Sequence, residues 1–481
     1  MRLLLINPPR LNEIVADNPA FIDEERGCNP PLGLLYCAAS VLRARRHTAA
    51  LIDAQAEQLG YDDALVNRIM AAHPDIVGIT AMTPTLIDVV ATIASVRAAA
   101  QRLKCAVPII VGGPHAHLFP RETLALAGVD YVVLGEGEPV LPRLLDALET
   151  GAGLASIPGL GYRRDGTAQI NPHGAPIEDL DALPFPARAL APVANYRSIL
   201  SPGAVVTTMI TSRGCPYACS FCDRPHLGKK FRARGPLNVV DEMEECARLG
   251  IGEILVYDDT FTVNRQRVVG ICEEILRRKL PCAWDIRARV DTVDEDLLKL
   301  LRKAGCHRIH FGVESGSDAV LRTLRKGFTV AQVLAAFADA KEAGMETLAY
   351  FMIGSPGETA RDIQTTIDLA RRLDPAYAHI TVLTPYPGTE LYSRALSEGV
   401  APGDYWREFA RDPAPGVAVR YWEKELSREQ LITCLHRFYR SFYGRPSYIL
   451  RQLTRITSAR QFMRTASMGL KILAGRSGHE R

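Results

Sequence analysis

Cys215, Cys219 and Cys222 stand in a C-x3-C-x2-C spacing within the stretch Arg213-Gly-Cys-Pro-Tyr-Ala-Cys-Ser-Phe-Cys222. Three thiolates on one short loop can hold three irons of a cubane iron–sulfur cluster. The fourth iron is then left without a protein ligand, open to a substrate or cofactor. Zinc competes, because His226 could complete a Cys3His set, although structural zinc takes four closed ligands in paired short spacings. The bland alternative is a pair of buried structural thiols with a bystander. Cys246 and Cys282 are candidates for a fourth ligand, but they fall in an expected helix and strand and read as ordinary buried thiols.

Strands must hold such a loop in place, and from residue 205 the chain alternates between strand-like and helical runs. Strands are expected at 205–210, 253–257, 283–286, 308–311, 347–353 and 378–383, with helices near 236–249, 264–279, 294–305, 330–344 and 359–373. Short apolar strands alternating with helices predict a parallel sheet. Six units fall short of the eight that close a barrel, so residues 204–395 are expected to form a partial (β/α)6 barrel of TIM type. Its working residues should lie at the carboxyl ends of the strands. The cysteine loop, Asp258-Asp259-Thr260, Gly312-Val-Glu-Ser-Gly-Ser317 and Gly354-Ser-Pro-Gly-Glu358 all fall there. Taken singly, each acid reads better as a helix cap or salt bridge. In register at one face they make a candidate site, where Asp258 or Glu314 suits an ammonium or ribose hydroxyls.

The first 148 residues carry the same alternation, with short apolar runs at 3–6, 49–53, 76–80, 108–111 and 131–134 separated by helical stretches. A doubly wound, flavodoxin- or Rossmann-like sheet is expected, with ligands beyond the carboxyl ends of its strands. Those ends carry Asn7-Pro-Pro9, Asp53-Ala-Gln55, Thr80-Ala-Met-Thr83, Gly112-Gly-Pro-His115 and Gly135-Glu-Gly-Glu138. No phosphate loop is present and no G-x-G-x2-G follows the first strand, so an ordinary dinucleotide domain is not expected. Residues 149–203 are rich in proline and glycine and read as a linker with one small hairpin. Residues 396–481 read as helical, with a helix at 427–443.

At 481 residues two or three domains are expected, and a net charge of +3 gives no nucleic-acid footprint. Eleven scattered cysteines do not read as a disulfide framework, and no signal peptide or run of eighteen apolar residues is evident, so a reducing cytoplasm is the expected compartment. Residues 445–481 hold seven arginines and Lys471 against Glu480, interspersed with apolar residues. This basic amphipathic tail admits peripheral contact with the inner membrane face. A solvated cationic face packed on the barrel is an equal alternative.

With Phe221 ahead of the last cysteine, the loop resembles the signature of the radical S-adenosylmethionine (SAM) enzymes, over about residues 203–390. The loops of residues 1–145 resemble the cobalamin-binding domain found ahead of such cores. The resemblance implies a [4Fe–4S] cluster on Cys215, Cys219 and Cys222, with SAM chelating the unique iron. It implies SAM contacts from the backbone beside Phe221, from Asp258 or Asp259 to the methionine ammonium, from Glu314 and Ser315 to the ribose or methionine end, and from Gly354. For cobalamin it implies Asn7, Gln55, Thr83, Gly112, Gly113, His115, Gly135 and Glu136. Gln55 stands where a D-x-H-x2-G motif would place a cobalt-binding histidine, so the lower face of cobalamin is expected to lack that ligand.

The class resembled includes cobalamin-dependent radical methylases and the anaerobic magnesium-protoporphyrin ester cyclase. Methylation of an unreactive carbon or phosphorus centre of a natural product, tetrapyrrole or lipid-like molecule is the leading expectation, with flavodoxin or ferredoxin as external one-electron donor. Oxidative cyclisation without methyl transfer is the runner-up. A non-catalytic sensor or carrier is the alternative of another class.

Overall fold

The structure is a computed structural model that describes residues 1–17, 27–223 and 228–454. His226 and residues 455–481 of the basic tail lie outside the described residues.

The first sheet is built from β1 (Arg2–Asn7), β2 (Thr48–Asp53), β3 (Ile76–Thr80), β4 (Ile109–Gly112) and β5 (Tyr131–Val133), all parallel in the order β2-β1-β3-β4-β5. The run Leu3-Leu-Leu-Ile6 is apolar throughout because helices cover both faces. Leu4 and Ile6 join the core under the helix Leu86–Leu103, while Leu3 and Leu5 join that under Leu32–Arg43 and Val140–Thr150. The helical stretch Thr83–Leu103 is long and apolar enough to cross a membrane, but its Val89, Ile93, Val96 and Ala99 are buried in the core. Neighbouring strands β1 and β3 carry their helices to opposite faces, and the crevice opens at that switch.

The hairpin expected in 149–203 is β6 (Leu160–Arg164) with β7 (Thr167–Ile170), and β6 pairs antiparallel with β5. Without it β5 would be an open edge. The sheet thus runs to seven strands and takes in residues of the expected linker.

The second sheet holds β8 (Val206–Met209), then, after the two-residue ribbon strands β9 (Ser212–Arg213) and β10 (Arg232–Ala233), β11 (Glu253–Val256), β12 (Ala283–Ala288), β13 (Cys306–Glu314), β14 (Glu346–Ile353) and β15 (Tyr377–Val382). Its order is β15-β14-β13-β12-β11-β8, all parallel and open between β15 and β8. Alternation sends Ile254, Val256, Ile286, Ile309 and Phe311 into the core shared with the helices. The intervening positions Asp285, His310 and Tyr350 instead bond to one another.

Both open edges are covered. Along β8, the Arg188 guanidinium donates to Thr207 Oγ1 (3.2 Å) and the Thr208 carbonyl (2.9 Å). Along β15, the Tyr443 hydroxyl bonds both the amide and the carbonyl of Ala378, and the Tyr439 hydroxyl both those of Ile380. These tyrosines belong to the helix Arg428–Tyr443, whose Ser427 cap reciprocates with Gln430 and whose Leu431, Leu435, Phe438 and Phe442 form the buried stripe.

Candidate active site

The cysteine loop leaves β8 through Thr211 and Ser212 and is closed at its neck by the β9–β10 ribbon, which pairs Arg213 with Arg232. Gly214 turns the chain at φ +83°, and a Cβ there would meet the Lys230 carbonyl oxygen at 2.3 Å. Only glycine fits. Farther along, Ser220 donates its amide to the Leu324 carbonyl (3.1 Å) and accepts from the Leu391 amide (3.0 Å). Cys215 and Cys219 are half-buried, Cys222 is exposed, and none of the three is in a disulfide.

Other cysteines contrast with these. Burial pushes Cys246 and Cys272 up to about 12 and raises Cys306 well above its ordinary 9.0. Cys282 is half-buried and also pushed up to about 12 by burial; it precedes β12, at the barrel end opposite the cysteine loop. Three water-accessible thiols on one tightly held loop fit an iron–sulfur cluster. Arg289 reinforces the fit. Its guanidinium lies 3.7 Å from the Tyr217 ring, forks onto Asp291 at 2.9 Å, and interacts electrostatically with Cys219.

The candidate SAM residues divide once their partners are seen. Asp258, only 1 % exposed, accepts four hydrogen bonds of 2.6–3.0 Å from the amides and hydroxyls of Thr211 and Ser212. Its carboxylate fixes the exit of β8, a role different from the expected contact to an ammonium. Asp259 beside it is exposed at the same strand ends. Glu314 follows a register shift in β13 and sits at φ +66°, strained for a residue with a Cβ. Lys326 Nζ donates to it at 2.9 Å and lies 5.7 Å from the Phe221 ring, so Glu314 and Phe221 share one wall. Ser315 is fully buried and its hydroxyl faces Thr366 at 3.2 Å, inside the packing of helix Ala360–Leu373.

Gly354 sits at φ +82° at the end of β14, and its amide and that of Ser355 donate to Glu358 at 2.7 and 2.9 Å. Burial raises Glu358 to about 7 against the pull of those two amides. Glu358 Oε1 and Ser355 Oγ are buried without a partner among the described residues.

The first sheet's loops make a cradle. Gly113, at φ +100°, brings the loop after β4 so close to that after β3 that a Cβ would lie 2.8 Å from the Ala81 oxygen. Gly112 accepts from the Ala81 amide, and His115 from Thr83 or the reverse, at 3.1 Å. Burial lowers His115 to about 4, leaving it neutral, and its Nε2 is buried with no partner among the described residues. Gly135 has open space over its Cα. A buried orphan nitrogen beside a glycine-lined cradle fits a large polar cofactor such as cobalamin.

Gln55, in the position expected of a cobalt ligand's substitute, donates to the Pro8 carbonyl at 3.0 Å, and Asn7 donates to Asp53 at 2.8 Å. These side chains tie the loops after β1 and β2 together. Glu136 departs from its expected place at the cobalamin face, because Arg213 and Arg232 hold its carboxylate at 2.6–3.1 Å.

Several functional groups had no local sequence signal. Tyr196 binds Asp53 at 2.8 Å from the expected linker, and Asn29 binds Tyr257 at 3.0 Å. Inside the barrel Asp285 faces His310 Nε2 at 3.2 Å and Tyr350 faces His310 Nδ1 at 3.1 Å. Burial lowers His310 in spite of the Asp285 carboxylate beside it. Arg287, half-buried, stacks 3.6 Å from the Tyr257 ring at the mouth.

The family model described as "Radical SAM superfamily" matches residues 209–370, and that described as "B12 binding domain" matches residues 20–145. An uncharacterised methyltransferase of Pyrococcus horikoshii is 35% identical over 460 residues, covering 94% of this chain and 95% of the relative. The anaerobic magnesium-protoporphyrin IX monomethyl ester cyclase of Cereibacter sphaeroides is 31% identical over 437 residues, 87% of this chain and 68% of the relative. Among solved structures, the radical SAM methyltransferase TsrM of Kitasatospora setae, with cobalamin and a [4Fe-4S] cluster bound, superimposes with a TM-score of 0.73. It is 20% identical and covers 91% of this chain and 90% of its own. The cobalamin-dependent SAM radical enzyme OxsB gives 0.75 at 17% identity, over 98% and 71%.

Proposed function

We propose, for a chain that belongs to the radical SAM enzymes with an N-terminal B12-binding domain, a cobalamin-dependent methyl transfer to an unactivated carbon or phosphorus centre of a small molecule. When bound, the cluster with SAM supplies a 5′-deoxyadenosyl radical, and cobalamin carries a methyl group taken from a second SAM. Cys215, Cys219 and Cys222 would hold the cluster. Phe221, Asp259, Glu314 and Gly354 would line the SAM site, with Asp258 and Ser315 acting from behind. Asn7, Gln55, Thr83, Gly112, Gly113, His115 and Gly135 would form the cobalamin cradle.

One observation carries this reading above the others. The loops at the carboxyl ends of the first sheet bond directly to the barrel's cysteine-loop neck through Glu136 and to its mouth through Asn29, while Asp53 bonds Tyr196 of the segment that leads into the barrel. Radical chemistry shared between two cofactors needs them held in one geometry before the radical is released. The barrel residues beneath, Tyr257, Arg287 and Tyr350, offer polar groups to a substrate in the space between. An external flavodoxin- or ferredoxin-like protein is the electron donor this chemistry requires, and the reducing cytoplasm is its proposed compartment. Peripheral membrane contact through the tail would suit a lipid-like substrate; deletion of 445–481 should then abolish co-sedimentation with anionic liposomes.

Oxidative cyclisation is the second reading, favoured by the likeness to the magnesium-protoporphyrin ester cyclase. The two separate in one experiment. Enzyme reconstituted anaerobically with cobalamin and methyl-labelled SAM is incubated with extracts. Label in a product supports methyl transfer; 5′-deoxyadenosine without label in any product supports cyclisation. Cluster binding with no SAM cleavage under strong reductant would leave the sensor or carrier.

A further inference from the structure

Two arginines and two glutamates are buried together where the first sheet meets the cysteine loop. Arg213 Nη1 contacts Glu136 Oε1 at 2.6 Å and Arg213 Nη2 contacts Glu138 Oε1 at 2.5 Å. Arg232 Nη1 reaches both Glu136 oxygens, at 3.0 and 3.1 Å, and the Ile177 carbonyl at 2.5 Å. All four side chains are at most 7 % exposed. Arg213 also lies 5.3 Å from the Tyr36 ring of the N-terminal domain, and Tyr36 donates to the Ile210 carbonyl at 3.4 Å. Burial works against the charge of Arg213, but Glu138 and Glu136 outweigh it, and the guanidinium stays charged.

Their placement is specific. Arg213 and Arg232 are partners across the β9–β10 ribbon, and the chain between them carries all three loop cysteines. Glu136 and Glu138 both sit on the loop after β5, whose Gly135 borders the cradle. Arg213 connects to Cys215 through Gly214 alone, and Gly214 is wedged against the Lys230 oxygen. A shift of the guanidinium therefore passes to the first cysteine with little slack. A buried ion-pair network gains little stability over apolar residues of the same volume, because desolvation offsets its attraction. What it supplies is a fixed relative position, since a forked guanidinium tolerates little misalignment between two carboxylates.

Resting on the reading above, we infer that Arg213, Arg232, Glu136 and Glu138 are positioning residues that set the register of the cysteine loop, and so of the cluster, against the cobalamin cradle. Glu138→Gln keeps the shape but loses the charge. Arg213→Lys keeps the charge but loses the planar fork that spans the two carboxylates. Glu122→Gln is the control, because Glu122 pairs with Arg407 at another contact between N-terminal helix and C-terminal region.

The test uses full-length protein carrying both cofactors, each brought to its one-electron paramagnetic state. Magnetic dipolar coupling between the two spins is read by pulsed electron paramagnetic resonance, beside iron and cobalamin content. Wild type and Glu122→Gln should give one narrow distance distribution. Glu138→Gln and Arg213→Lys should give a broadened distribution shifted to longer distance, with unchanged cofactor content. Distributions identical to wild type in both variants would overturn the inference and leave the functional reading intact. A wild-type protein that binds no cobalamin would overturn both.

Discussion

Asp258 receives the amides and hydroxyls of both Thr211 and Ser212, so truncating it strands four donors in a buried place. Asp258→Ala should destabilise the protein by about 3 kcal/mol in urea unfolding and lower its cluster loading on reconstitution. Glu358 gives a pH signature. Its folded value of about 7 stands above the ordinary 4.5, so the native state holds a proton that the unfolded chain releases. The contribution to stability is full below about pH 4.5 and is lost as pH rises through about 7, a loss of roughly 3 kcal/mol. Unfolding in urea at about pH 5 and about pH 8 should show that loss in the wild type and much less of it in Glu358→Gln. Equal pH dependence in the two proteins would exclude the buried acid as its source.

At the scale of elements, Gly214 and the edge of β15 are the sensitive places. Gly214→Ala puts a Cβ 2.3 Å from a carbonyl oxygen at a positive φ, so the cysteine loop must reopen. Iron and sulfide content after reconstitution should fall sharply, while the far-ultraviolet circular dichroism stays that of the wild type. Tyr439 and Tyr443 each satisfy an amide and a carbonyl of the edge strand. Changing either to phenylalanine should cost about 1–3 kcal/mol in unfolding free energy, and the double variant should aggregate on heating through its exposed edge.

The elements themselves were largely legible because their causes are local. The run at 76–80 comes out at the expected residues as a doubly covered apolar strand, and the helix expected near 264–279 comes out as Arg265–Arg278, an amphipathic stripe ended by Lys279 in the left-handed region. Where the 160–170 hairpin docks was not legible, because that depends on β5 lacking a partner. In the site, the cysteine spacing lies within one loop and could be read. The pairings Glu314–Lys326 and Glu136–Arg213 could not, since twelve and seventy-seven residues separate their members.

The whole molecule joins two sheets at the carboxyl ends of their parallel strands, with buried charge at the junction and polar groups in the barrel beneath. The proposed methyl transfer requires that a methyl group pass from SAM to cobalamin inside one chain. The purified protein, loaded anaerobically with its cluster and hydroxocobalamin, should therefore be reduced with SAM bearing a trideuterated methyl group and its cobalamin read by mass spectrometry. Trideuteromethylcobalamin, together with 5′-deoxyadenosine that disappears in Cys219→Ala, is the predicted result. Cobalamin that is bound and reduced yet gains no deuterated methyl group would contradict the methyl-transfer assignment.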